Sequence, residues 1–264
     1  MIRLIATDLD GTLLDDEKRL SPDFWEVEQQ LVDKGILFTV ASGRQFHNIA
    51  KVFERIADRT VFIAENGSYA YHAGTEIFRV ALDPKHVHDF IRIGRQVEGA
   101  GLVVSGKKAA YIESREPRFV DEVIRHHDAL EIVDDLLQVE DDVLKFTLAD
   151  FGDIVTNTAP RFEAFAPHFN VVISGRYWMD ITDKTANKGT ALRHVQAHFG
   201  ISREETLVFG DYLNDLQMMQ EARLSYAMRN AHADILAAAS HVTESDNNGF
   251  GVTETIKRLV LASS

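Results

Sequence analysis

The chain is predicted to be an α/β protein: a doubly wound, Rossmann-like parallel sheet core with an inserted α+β cap domain. Three observations carry that expectation. Short apolar runs alternate with helical patterns from the first residues, which implies parallel strands covered by helices. Several of these runs end in turns rich in glycine and polar residues, among them Asp8-Leu9-Asp10-Gly11-Thr12, Ser42-Gly43-Arg44 and Gly210-Asp211. From Asp83-Pro84 to about Asp183 the alternation gives way to shorter, more polar strands, and then it resumes.

Ile2 to Ala6 reads as a buried strand, and Gly11 permits the sharp turn that follows it. Ser21-Pro22 opens a helix, a capping hydroxyl followed by proline in the first turn; the helix runs to Lys34 and stops at Gly35. Ile36 to Ala41 is the second buried strand. A helix over Phe46 to Ile56 leads to a third, Thr60 to Ala64, which ends in the turn signal Glu65-Asn66-Gly67. Tyr69 to Tyr71 and Glu76 to Val80 form a hairpin around Gly74.

The inserted segment starts with a helix from Pro84. Strands follow at Leu102 to Ser105 and Ala109 to Glu113, then a helix from Pro117 to His127 and a strand from Val143 to Ala149. A helix disturbed by Pro160 precedes a closing hairpin, Phe169 to Ser174 and Tyr177 to Ile181, around Gly175-Arg176. After Lys188 a helix runs to Phe199 and ends at Gly200. Ser202 and Glu205 make a capping box, Leu207 to Phe209 and Ser225 to Met228 are strands, and a last helix starts near Val252. We expect residues 1–82 and 184–264 to form a catalytic core and residues 83–183 a separate α+β domain.

With 264 residues, 45% of them hydrophobic and 26% charged, the composition is that of a soluble globular protein with a sizeable core. No apolar run approaches the roughly 18 residues that a membrane span needs. The first strand begins within the first residues, from which we expect no signal or transit peptide. The absence of cysteine excludes disulfides, thiolate metal sites and cysteine nucleophiles, and fits a cytoplasmic protein. A net charge of −13 argues against nucleic acid and anionic membranes as partners. An anionic substrate would need local cations or a metal. Nothing in the chain sets an oligomeric state.

Four places carry candidate chemistry: Asp8 with Asp10, Ser42, Lys188, and Asp211 with Asp215. All fall at or just after expected strand ends or at the junction of the inserted segment. The ends of parallel strands share one edge, so these residues can meet although they are far apart in sequence. Asp8, Asp10 and Asp211 supply hard oxygens suited to Mg²⁺. Ser42 offers a hydroxyl, with backbone amides at a helix start, for phosphate oxygens. Lys188 offers a point charge for the same group. Taken singly, Ser42 reads as a helix cap, Lys188 as a solvated cation and Asp211 to Asp215 as a capped loop. Their order, each at a strand end, favours phosphate chemistry.

In that order the motifs resemble those of the haloacid dehalogenase superfamily. Within it, the chain is similar to the Cof-type sugar-phosphate phosphatases with a C2B-type cap. Asp8-Leu9-Asp10-Gly11-Thr12 looks like the first motif, Ser42-Gly43-Arg44 the second, Asn187-Lys188-Gly189 the third and Gly210-Asp211-Tyr212-Leu213-Asn214-Asp215 the fourth. Glu65-Asn66-Gly67 is also similar to a common stretch of this group. The resemblance implies that Asp8 is a nucleophile forming an aspartyl-phosphate and Asp10 a general acid and base. It implies Mg²⁺ held by Asp8, the Asp10 carbonyl and Asp211, with Asp215 in support. Ser42, Gly43, Lys188 and Asn214 would hold the phosphoryl group. Lys184 is a rival to Lys188, which its motif favours. The implied substrate is a small phosphorylated metabolite, most often a sugar phosphate. A phosphomutase or other phosphotransferase on the same core, and a non-enzymatic phospho-accepting signalling domain, are the competing readings. Arg44, Lys145 and Tyr177 are candidates to select the substrate, though each also reads as structural or solvated.

Overall fold

The computed structural model describes residues 1–262. The first strand, β1 (Leu4–Asp8), runs two residues past the expected end at Ala6. Its backbone is paired on both sides, Asp8 opposite Ala41 and Thr7 opposite Phe209, so the chain stays extended up to its first carboxylate. Next come α1 (Phe24–Asp33), β2 (Leu37–Ala41), α2 (Phe46–Val52) and β3 (Val61–Ala64). The helix expected over Phe46 to Ile56 breaks after Val52, and a 3-10 turn, Glu54–Ile56, replaces its end. Packing explains the break. Phe53 leaves helical geometry at φ −108° and packs its buried ring against Phe24, Phe38 and Phe62. β4 (Tyr69–His72) and β5 (Thr75–Arg79) form the expected hairpin.

The middle of the chain contains α3 (Pro84–Gly94), β6 (Ala100–Gly106), β7 (Ala110–Ile112), α4 (Pro117–Ile124), β8 (Leu130–Ile132) and β9 (Val143–Asp150). It continues with α5 (Ala159–Phe162), β10 (Phe169–Ile173) and β11 (Trp178–Asp183). β8 was not expected; it is a three-residue edge strand, mostly exposed, with too few apolar positions to show a period. The helix expected around Pro160 is reduced to α5, with proline in its first turn, preceded by the wide turn Ile154–Thr158. The last stretch holds α6 (Lys188–Phe199), β12 (Thr206–Gly210), α7 (Leu216–Gln220), β13 (Leu224–Ala227), α8 (Ala233–Ala238), β14 (His241–Val242) and α9 (Gly251–Ile256).

These elements form two compact units. The first comprises Met1–Gly43, Val52–Phe78 and the chain from Asn187 onward; the second comprises Arg44–Lys51 and Arg79–Ala186. In the first unit the sheet order is β14-β13-β12-β1-β2-β3-β4-β5. Pairing is parallel from β14 through β3 and turns antiparallel at β4. β1 is buried at every position, as a strand covered on both faces must be. Leu4, Ala6, Val61, Ile63 and Val208 pack with Leu192 and Val195 of α6 and Met218 of α7. Phe24 of α1 meets Phe38 within the aromatic cluster. The core is thus a doubly wound α/β sheet.

The second unit is α+β. Its sheet order is β10-β11-β9-β6-β7-β8, antiparallel except between β7 and β8. Phe90 and Ile91 of α3 and Phe162 of α5 pack with Leu102, Phe146, Leu148 and Met179; Phe119 and Val123 of α4 pack with Val103, Ala110 and Ile112. Residues 44–51 are tied to this unit by specific bonds. Gln45 Nε2 donates to the Ala129 carbonyl at 3.3 Å, the Asp128 amide donates to Asn48 Oδ1 at 3.1 Å, and Lys51 pairs with Asp128 at 2.8 Å. Among the described residues no helix is long and apolar enough to cross a membrane.

Candidate active site

Strand order reverses at β1. The strands β2 and β3 lie to one side of it, and β12, β13 and β14 lie to the other. Open parallel sheets form a crevice at such a point, outside the carboxyl ends of the strands. Asp8 closes β1, Ser42 follows β2 and Asp211 follows β12, so the pairing of these strands brings all three to one edge of the first unit.

Lys188 is the first residue of α6 and is wholly buried. Its Nζ donates to Asp8 Oδ1 at 2.5 Å and to Asp215 Oδ1 at 2.6 Å. Burial works to lower the pKa of this ammonium, but Asp215 and Asp8 outweigh it and hold the group above its ordinary value. Asp215 is also wholly buried. Its second oxygen accepts the backbone N–H of Asp211 at 3.0 Å and of Tyr212 at 3.2 Å. Thr12 Oγ1 donates to Asp211 Oδ1 at 2.9 Å, which fixes one oxygen of that carboxylate. Thr12 stands in the first motif, but no local pattern singles it out.

Asp8, Asp211 and Asp215 each place a carboxylate oxygen within 4.8 Å of the others. Lys188 is bonded to two of these three carboxylates, so the cluster carries an excess of negative charge. The imbalance is visible in Asp8, which burial pushes up to about 8; Lys188 opposes that shift, while Asp215 and Asp211 add to it. Burial and Asp215 likewise raise Asp211. An oxygen-only donor set with excess negative charge, partly closed to water, fits a hard divalent cation.

The other expected residues fall as follows. The Asp10 carboxylate accepts from Lys18 Nζ at 2.8 Å, so its side chain is directed to that cation. Nothing in the sequence marked Lys18. The Ser42 amide donates to the Ile63 carbonyl at 2.8 Å, which commits that N–H to the backbone, while its side chain is buried. Asn214 lies in the turn Leu213–Asp215 and donates from Nδ2 to Asn66 Oδ1 at 3.0 Å. A Cβ on Gly43 would lie 3.0 Å from that same Asn66 oxygen. Lys184, the rival to Lys188, belongs to the second unit and donates to the carbonyls of Ala166 and Phe169. Arg44, Lys145 and Tyr177 also belong to the second unit. Lys145 is buried on β9 opposite Ser105, and the Tyr177 ring packs against Phe151.

The sequence pattern of the haloacid dehalogenase-like hydrolases matches residues 5–256. The chain belongs to that family. It is 32% identical to the 5-amino-6-(5-phospho-D-ribitylamino)uracil phosphatase YbjI of Escherichia coli K12, over 98% of this chain and 96% of the relative. A crystal structure from Eubacterium rectale superimposes with a TM-score of 0.89 at 28% identity, covering 98% of this chain and 99% of that one. The fold is also that of a haloacid dehalogenase subclass IIB sugar phosphatase, with a TM-score of 0.79 at 22% identity over 97% of this chain and 98% of that one. Membership in this family, together with the phosphatase relative, makes the chain a phosphoric monoester hydrolase.

The crowded carboxylates of this hydrolase have a consequence for stability. Asp8 has a folded pKa above its unfolded value, so its contribution is complete below the ordinary carboxylate range. That contribution is lost as pH rises toward about 8. In EDTA, the melting temperature of the parent relative to Asp8→Asn should therefore fall between about pH 5 and about pH 8. A divalent cation bound at this cluster would compete with the proton for the same oxygens and should then stabilise the parent more at the upper pH. A parent-minus-variant difference that stays flat or rises over this range in EDTA would contradict the arrangement.

Proposed function

We propose that the protein hydrolyses small phosphorylated metabolites, sugar or sugar-alcohol phosphates in particular, through an aspartyl-phosphate on Asp8. The observation that carries this reading is the buried Lys188 ammonium bonded to both Asp8 and Asp215 beside Asp211, at the switch point of the sheet. The name of the E. coli relative specifies a phosphorylated ribityl chain, which supports a polyhydroxylated substrate. Mg²⁺ would be held by Asp8, Asp211 and the Asp10 main-chain carbonyl, with Asp215 in support. Bound there, it would offset charge on the phosphoryl group.

Lys188 fixes Asp8 by one carboxylate oxygen, and the other attacks phosphorus. The P–O bond to the alcohol breaks as the O–P bond to Asp8 forms; Asp10, released from Lys18 and entering this step as the carboxylic acid, gives its proton to the leaving oxygen. A water then attacks phosphorus and passes a proton to Asp10; the acyl-phosphate P–O bond breaks and Asp8 is regenerated. Lys188 and Asn214 offer donors to the phosphoryl oxygens, with Ser42 and Gly43 beside them. A carboxylate that attacks a phosphate dianion needs such cations, because the two charges repel. The second unit, whose strands are read as a cap, is proposed to choose among substrates.

Asp10→Asn separates the two aspartates. The substitution keeps the main-chain carbonyl but removes the proton transfers. A good leaving group needs little acid help, so aryl phosphates should lose about tenfold less activity than sugar phosphates where the first step limits. Equal losses of phosphate release from the two substrate types would remove Asp10 from the acid role.

A further inference from the structure

The stretch Glu65-Asn66-Gly67, noted in the sequence as a turn, ties together three of the motifs. Its backbone is unusual: Glu65, Asn66 and Gly67 take φ values of 49°, 54° and 97° in succession. Two consecutive side-chain-bearing residues in the left-handed region are costly and persist only where their surroundings hold them. Here they are held on three sides. The Asn66 backbone N–H donates to the carbonyl of Ser42 in the second motif at 3.0 Å. A Cβ on Gly67 would lie 2.2 Å from the Asn187 carbonyl, so the loop is pressed against the backbone that leads into Lys188. The Asn66 side chain lies against Gly43 and accepts from Asn214 of the fourth motif.

The chemistry of an amide gives this last contact a specific meaning. A free Asn214 side chain can present either its N–H₂ or its carbonyl to a neighbour. A carbonyl facing a phosphate dianion would repel it, and an N–H would bind it. Asn66 Oδ1 accepts one of the two Asn214 N–H groups. In this arrangement Nδ2 is the end of Asn214 turned to Asn66, and its second N–H is left for another acceptor. The half-buried Asn66 braces an otherwise exposed Asn214, which would lose more freedom on binding if unheld.

We infer that Asn66 is a positioning residue of the phosphoryl site, acting through Asn214 to keep an N–H directed at the bound phosphate. The inference rests on the phosphatase reading above, in which Asn214 holds a phosphoryl oxygen. Asparagine tolerates left-handed φ, so a purely backbone reason for Asn66 has to be separated from the side-chain role.

Asn66→Gly makes that separation. Glycine adopts the same φ without penalty, so the loop is retained while the acceptor is lost. The test is a double-mutant cycle of Asn66→Gly with Asn214→Ala. The readout is inhibition of p-nitrophenyl phosphate hydrolysis by inorganic phosphate in the Mg²⁺-loaded protein, with melting temperatures taken alongside. Asn214→Ala alone should weaken inhibition by phosphate. Asn66→Gly alone should weaken it by about three- to tenfold, the range for loss of one supporting hydrogen bond. It should raise KM more than it lowers kcat. In the Asn214→Ala background Asn66→Gly should add less than about twofold, because its target is gone. Independent, multiplying effects, or unchanged inhibition in Asn66→Gly beside a clear loss in Asn214→Ala, would overturn the positioning role alone. Unchanged inhibition in Asn214→Ala would remove Asn214 from the phosphoryl site and take the inference with it.

Discussion

Asp8→Asn is expected to reduce phosphate release to background while the protein stays folded. Asparagine preserves the shape of the side chain and an oxygen that Lys188 Nζ can still reach, but its carboxamide is no nucleophile toward phosphorus. Removal of a covalent nucleophile costs roughly four to six orders of magnitude in turnover. The same change takes a negative charge from a cluster of three carboxylates, two of which are bonded to Lys188. The variant should therefore melt no lower than the parent in EDTA. Quenched-flow or phosphate-release assays on the folded variant check the first part, and calorimetry checks the second. Turnover within about a hundredfold of the parent in a folded Asp8→Asn protein would exclude the covalent route, since general acid–base help and phosphate binding alone are worth less than the whole rate.

Lys188→Met is expected to damage both stability and activity. Methionine fills much of the same space, so packing changes little and the lost charge dominates. Lys188 and Asp215 are fully buried, and Asp8 is 6% exposed. Removing one partner of a buried ion pair leaves the other uncompensated and typically costs about 3–5 kcal/mol. Here two carboxylates lose the one ammonium bonded to them among the described residues, so the loss should fall at the upper end of that range and deepen as pH rises. Denaturant unfolding at pH 6 and pH 8 measures it. On the proposed mechanism phosphate release should fall by about a thousandfold or more, since Asp8 would lose its anchor and the phosphoryl group a charge donor. Lys184→Met is the matched control. Lys184 donates to the backbone carbonyls of Ala166 and Phe169 in the second unit, and its loss should cost about 1 kcal/mol or less and spare the chemistry. A Lys188→Met protein as stable as the Lys184→Met control would mean that the carboxylates hold their charges by some other means.

The parallel core was legible because its strands are short, continuous apolar runs, and a run of that kind reports burial on both faces. β2, β3 and β12 lie within a residue or two of their expected positions. Elements that depend on distant partners were not legible. The last turn of the helix after Ser42 is lost to the Phe24–Phe38–Phe53–Phe62 cluster, whose members come from four separate elements and linkers. β8, α8 and β14 are two to six residues long, too short to show a period. The grouping of residues 44–51 with the second unit depends on bonds to Asp128 and Ala129, which no local pattern announces.

The amino-acid sequence by itself determined where the buried strands of the core lie, that four motifs resembling those of the haloacid dehalogenase superfamily follow one another in order, and that the chain carries an excess of acid with no cysteine. Those properties are local: periodicity, turn residues and composition act over a few positions. Only the tertiary structure decided which of these side chains bond to one another. Lys188 and Asp8 are 180 residues apart, and they meet because α6, which Lys188 opens, packs Ala191, Leu192 and Val195 into the core that holds Leu4 and Ala6 of β1. The sharing of one ammonium by Asp8 and Asp215, the turn of Asp10 toward Lys18, and the bracing of Asn214 by Asn66 follow from that packing. A sequence pattern specifies the path of the backbone and its buried face. Hydrogen-bond partners are set by distances of a few ångströms between segments whose approach depends on the whole sheet.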